Sequence, residues 1–239
     1  MRMSYSKNFP TEEFNLHVFA DKFMRALQQD FDLLAFTLSA HEHANESTYQ
    51  SYSLTPRIMP LAPDHQNFEQ LQAHARDRLV RQVIADALNR VLAALDKMHL
   101  FLQLVHNKQN ATGVLPKIQM EIQVKQRKFL EARLPQKFHF LNVCFDINSP
   151  FADFVLALEL AFDALVHHRG SVQDQHLNVG VSLVMSLKRV ASEPDVSSAF
   201  VDERLVFEKG EAIVLQTAHL QQILITVSMF ADNLFRSVA

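Results

Sequence analysis

Four glycines in 239 residues, at positions 113, 170, 180 and 210, decide most of what this chain can be. Tight turns with positive φ draw on glycine, so a β-sandwich or barrel built from many short strands is disfavoured. The same scarcity excludes glycine-rich phosphate loops. Neither G-x-G-x-x-G nor a Walker A lysine loop can be written with these four. What the chain has instead is helical spacing. From Asp64 to Thr112 there is no glycine and no proline. Phe68, Leu71, Ala75, Val83, Ala87, Val91, Leu95, Met98, Leu102 and Val105 mark a stripe there that predicts one very long helix or two in line.

The other segments follow the same reading. Thr11 stands as an N-cap before a helix over about 12–40, carried by Leu16, Phe23, Leu27, Leu34 and Leu38. Residues 41–66 are polar, proline-bearing and aperiodic, and predict a long surface loop. A turn is expected at Ala111-Thr112-Gly113, then a helix over about 117–134 stopped by Pro135. The segment 138–147, FHFLNVCFDI, reads as extended on its aromatic and β-branched content. Ser149-Pro150 opens a helix over about 151–168, a further helix covers about 175–190, and a loop follows over 191–200. A small β-hairpin is expected near 204–215, around Lys209-Gly210, and a last helix over about 217–236. No repeat and no linker divides the chain, so the expectation is a single all-α domain, 1–239.

Net charge is −3, so no global basic field draws in nucleic acid. A single cysteine, Cys144, rules out an internal disulfide and a cysteine zinc site; its apolar neighbours Val143 and Phe145 predict a buried thiol. No leader-like apolar stretch opens the chain and no apolar run has membrane-spanning length, so a cytoplasmic protein without membrane contact is expected.

Chemistry concentrates in the helix over 151–168. Glu159, Asp163 and His167 follow one another at four-residue steps, which places them on one side of an otherwise apolar helix. A carboxylate four residues before a histidine can orient the imidazole. The plain alternative is that the three form the wet edge of a core helix. Phe162, Leu158 and Val166 are expected to be buried. A second candidate is the basic segment 117–137. Six cations there, among them Lys125, Arg127, Lys128 and Lys137, face only Glu121 and Glu131. Such a run can grip RNA phosphates, although a solvated helix face is the commoner meaning. Twelve histidines give no H-E-x-x-H; His99 and His106 merely share the long helix, and neither a metal nor a cofactor is expected.

The stretch ALELAFDALVHHRGSVQDQHL resembles the core of the HEPN superfamily (higher eukaryotes and prokaryotes nucleotide-binding). That family often carries E-L-x-R-R-N-L-x-V-H-x-x-G-x-V-x-x-x-Y-L. Glu159, Leu165, Val166, His167, Gly170, Val172 and Leu177 fit the form, and His176 stands where a tyrosine is common. RLVFEKGEAIVLQTAHLQQILITVSMFADNL is similar to the family's ending. The resemblance spans about 138–236. It implies a HEPN-like helical bundle with a core over about 66–236, a long helix pair and the small hairpin, preceded by an N-terminal helix and polar loop over 1–65.

Many members are metal-independent endoribonucleases that pair arginine and histidine across a homodimer. Here the arginine positions are Ala161 and Phe162, and the usual asparagine is Asp163. The resemblance therefore implies a non-catalytic member that dimerises or binds a protein partner or RNA, in a bacterial defence or toxin–antitoxin setting. A second register pairs Arg169 with His176, six residues between them, and implies an endoribonuclease using Arg169 with His176 or His167. A helical scaffold unrelated to nucleic acid is the remaining reading.

Overall fold

The computed structural model describes residues 15–52, 67–110, 115–191 and 199–238. The elements are α1 (Leu16–His43), α2 (Glu46–Tyr52), α3 (Phe68–Asn110), α4 (Leu115–Glu131), α5 (Leu134–Phe145), α6 (Ala152–His167), a 3-10 turn at Asp174–His176, β1 (Ser182–Val190), β2 (Phe200–Glu208) and α7 (Thr217–Arg236). The chain is mostly helical with one two-stranded antiparallel sheet.

The stripe without a break signal becomes a single helix: α3 has 43 residues, about 65 Å at 1.5 Å per residue. Ile84, Ala87, Val91, Ala94, Leu95 and Met98 on it are fully buried. Against this seam pack α1, α4, α6 and α7. The α7 helix contributes Leu220, Ile223, Val227 and Phe230, all fully buried, each side chain of that size stabilising by about 1.5–3 kcal/mol. On α1 the N-cap is Asn15, whose Oδ1 accepts from His17 N and Val18 N at 3.0 and 3.2 Å. Thr11, the turn at 111–113 and most of the loop expected over 191–200 lie outside the described residues.

Several sequence expectations are corrected. The stretch 138–147 is not extended. Pro135 and Gln136 open α5, where the Arg133 N–H donates to Gln136 Oε1 at 3.1 Å. Phe138, Leu141 and Phe145 then meet the core at three- and four-residue steps. Packing of one helical face has overridden strand propensity. The segment 175–190 is not a helix. After one 3-10 turn it becomes β1, in which Leu183, Met185 and Leu187 alternate inward and are fully buried. The hairpin is displaced as well. β2 pairs with β1, from Ser182 opposite Glu208 to Val190 opposite Phe200. Beyond Gly210 (φ 85°) the chain instead runs along the end of α6, with Val172 N donating to Glu211 O at 2.9 Å and Ile213 N to Gly170 O at 2.8 Å.

The polar segment after residue 40 is not all loop, since α1 continues to His43 and α2 follows with no buried residue. Finally, α6 is not enclosed all round. Leu158 is fully buried, but Phe162 is half-buried and Val166 exposed. One side of α6 meets α3 and β1, and on its last turn Ala164 and Leu165 are buried while Val166 and His167 face outward.

Candidate functional site

The carboxylate–histidine cluster forms where α6 ends. The His168 and Gly170 N–H groups both donate back to the Ala164 carbonyl, at 3.1 and 2.9 Å, and so close the helix. Arg169 between them takes φ 54°, a left-handed conformation that a side chain tolerates at a cost. This sharp exit returns the chain over α6, and the 3-10 turn delivers His176 to Asp163, 13 residues earlier.

His176 is fully buried, and both of its ring nitrogens are used. The Gln173 backbone N–H donates to Nδ1 at 2.9 Å, so Nδ1 carries no hydrogen. The ring hydrogen is therefore on Nε2, which donates to Asp163 Oδ2 at 2.9 Å. His168 Nε2 lies 3.6 Å from the same oxygen, and Gln175 Nε2 is 2.9 Å from that nitrogen. The two rings meet edge to face at 4.9 Å.

Asp163, His168 and His176 thus bring three ligand-type atoms within 4.8 Å of one another. The donor chemistry does not fit a cation. A histidine bound to metal through Nε2 normally carries its hydrogen on Nδ1 and donates it to a carbonyl or carboxylate. Here Nδ1 faces an N–H. Ligation through His176 Nε2 would require moving the hydrogen to Nδ1, which breaks that bond, or removing the ring's one N–H hydrogen to leave an imidazolate. The arrangement is a latch that pins the turn onto α6.

The other residues of the stripe do not join the latch. His167 is exposed at the helix end, and Arg169 is exposed on the turn. Glu159 lies one turn before Asp163; burial pushes its carboxyl above the ordinary range, Arg133 opposes the shift and Asp163 adds to it. In the latch, His176 offers no surface to a polymer phosphate.

The basic segment divides. Lys137 is buried, with Nζ 2.6 Å from both Asp96 Oδ1 and the Phe129 carbonyl and 4.5 Å from the Phe129 ring centre. Lys125, Arg127 and Lys128 are exposed on α4. Lys125 and Lys128 line a cavity of about 380 Å³ between α3, α4 and α5. Cys144 lines it too and is exposed, which corrects the expected buried thiol: it borders the cavity, whereas Leu141 on the same helix is buried in the core.

Sequence reasoning missed His168, Gln173 and Lys137 as structural partners and missed the cavity. His168 caps α6 five residues after Asp163 and turns back toward it, an offset that four-residue periodicity does not report. No family model, no curated protein and no solved structure matches this chain.

Proposed function

We propose that this is a HEPN-like helical protein that does not cut RNA and works by association, as a homodimer or with a protein partner. The observation that carries association is on α4. Met120 and Val124, one turn apart, are exposed opposite the side that buries Ile122 and Phe129. Leu130 and Val143 are also exposed nearby in sequence on α4 and α5. Apolar side chains gathered in this way gain from being covered by a second surface.

The absence of cutting is argued from the latch. Metal-independent cleavage needs a proton-transfer group and a positive group at one phosphate. Of the Arg169/His176 pair, the histidine is sealed and fully hydrogen-bonded, and His167 lies beside Asp163 without the family's arginines. RNA binding without cleavage is the second reading, supported by Lys125, Arg127 and Lys128 on the solvent side of α4. The bacterial defence or toxin–antitoxin setting rests on the sequence resemblance alone.

Light scattering on the purified chain tests the association. The expected mass is twice that of one chain, falling to one chain in Met120→Glu/Val124→Glu. A monomeric wild type that captures no protein partner overturns the reading. Incubation with total RNA tests the chemistry. The expected result is intact RNA; cleavage lost in Arg169→Ala or His176→Ala would restore the ribonuclease.

A further inference from the structure

We infer that the cavity between α3, α4 and α5 binds a small aromatic anion that carries a hydrogen-bond donor at the end away from its charge. This goes beyond the proposed association and does not depend on it.

The donor is demanded by a hydrogen-bond chain with a fixed direction. The Asp96 backbone carbonyl can only accept, so Gln126 must present its Nε2 to it, at 3.0 Å. That turns Gln126 Oε1 toward His99 Nδ1, at 2.6 Å, so Nδ1 carries the ring hydrogen and donates. His99 Nε2 is left as an acceptor and takes Gln103 Nε2 at 3.4 Å. Gln103 must then leave its Oε1 at the end of the chain. That oxygen is buried and has no partner among the described residues, while Gln103 itself is 6% exposed and lines the cavity. Reversing either amide would set acceptor against acceptor somewhere along the chain. The chain runs out on an acceptor, and what completes it must donate.

The body of the ligand follows from the walls. Phe129, Phe140 and Phe145 line the cavity, and His99 stacks on Phe129 at 4.0 Å with the rings 4° from parallel. A flat ring gains most from such walls. A volume of about 380 Å³ sits at the small end of ligand cavities. The charge follows from Lys125 and Lys128, which are exposed where Gln103 is buried. Among the described residues that line the cavity there is no aspartate or glutamate. Burial holds His99 below the ordinary imidazole range, so the positive charge is that of the lysines. An aromatic carboxylate with a distal hydroxyl satisfies all three demands.

Cys144 supplies the readout, since it is the chain's single cysteine and lines the same cavity. The rate of its alkylation by iodoacetamide is measured on the full chain against 4-hydroxyphenylacetate, with calorimetry for affinity. The expected result is saturable protection at millimolar probe. Phenylacetate, which lacks the donor, should bind roughly tenfold more weakly. The uncharged 4-hydroxyphenethyl alcohol should also bind more weakly. In Gln103→Leu the difference between 4-hydroxyphenylacetate and phenylacetate should vanish. Lys125→Gln/Lys128→Gln, on exposed positions, should instead erase the difference between the acid and the alcohol. Absence of saturable protection by 4-hydroxyphenylacetate overturns the proposal. So does equal affinity in the wild type for the probes with and without donor, or with and without charge.

Discussion

His176 and His99 are both buried imidazoles with both nitrogens in hydrogen bonds, yet the two networks end differently. At the end of α6 the bonds close: a backbone N–H, a ring and a carboxylate satisfy one another, and Asp163 still faces solvent with its free lone pairs. Between α3 and α4 the bonds run in one direction and stop at Gln103 Oε1, which has no partner among the described residues. A closed network holds the fold together. An open one in a cavity wall is a recognition element. Titratable residues gathered in one place are therefore a poor guide to a site until the direction of each hydrogen bond has been worked out.

The largest expected effect separates the two networks by stability. His176→Ala removes a fully buried ring and leaves the Gln173 N–H without its acceptor. A loss of about 3 kcal/mol is expected in urea unfolding. Asp163 is partly exposed, so water can replace its bond. A variant as stable as the wild type would show that the turn at Asp174–His176 is not latched. Added zinc should leave the wild-type midpoint unchanged; a marked rise would mean that His176 can present Nε2 without its hydrogen.

The next effect is pH dependence from the open network. Burial lowers the His99 pKa below its ordinary 6.5, with Lys137 and Lys125 adding to the shift and the Gln126 bond opposing it. Above that ordinary value the ring is uncharged in both states. As pH falls through it, the unfolded ring takes a proton that the folded ring refuses, and stability declines until the folded value is passed. The slope is at most about 1.4 kcal/mol per pH unit for one proton. Urea unfolding at about pH 7.5 and about pH 5.5 should show a smaller acid loss in His99→Gln than in the wild type. Equal losses would place the acid sensitivity elsewhere.

Gln103→Met comes third. It removes an acceptor that has no partner among the described residues, at the cost of one long bond to His99. A change within about 1 kcal/mol of zero is expected. A loss comparable to that in His176→Ala would make Gln103 structural and dissolve the contrast between the networks.

The comparison also shows what was legible in the sequence. The helices α3, α6 and α7 follow from apolar spacing and a few break signals, because one buried face per helix leaves a period in the chain. The α5 helix and β1 do not, since their strand-like and helix-like content is overruled by the surfaces they meet. Leu183, Met185 and Leu187 alternate, but so short a run is ambiguous until α6 and α7 are seen against it. At the site, Asp163 and His176 could each be singled out by type. Their pairing could not, because it depends on the left-handed exit at Arg169 and Gly170. The open chain was less legible still. Gln103 and Gln126 are ordinary helix-surface residues by type, and only the crossing of α3 and α4 makes them a relay.

The smallest effect concerns Glu159, beside the closed network but outside it. Burial raises its carboxyl pKa above the ordinary 4.5, Arg133 opposes the shift, and Asp163 adds to it. Below the ordinary value the group is protonated in both states and carries no penalty. As pH rises through it, the unfolded carboxyl ionises first and stability falls until the folded value is passed. At neutral pH the fold therefore holds a carboxylate that it would hold more easily uncharged. Glu159→Gln keeps the shape and removes the charge, so it should stabilise at neutral pH. The gain should be only a few tenths of a kcal/mol, because the side chain is partly solvated. It should shrink toward zero as pH approaches 4.5. Destabilisation at neutral pH would mean that Arg133 outweighs burial, and Glu159 would then belong to a second latch, between α6 and the start of α5.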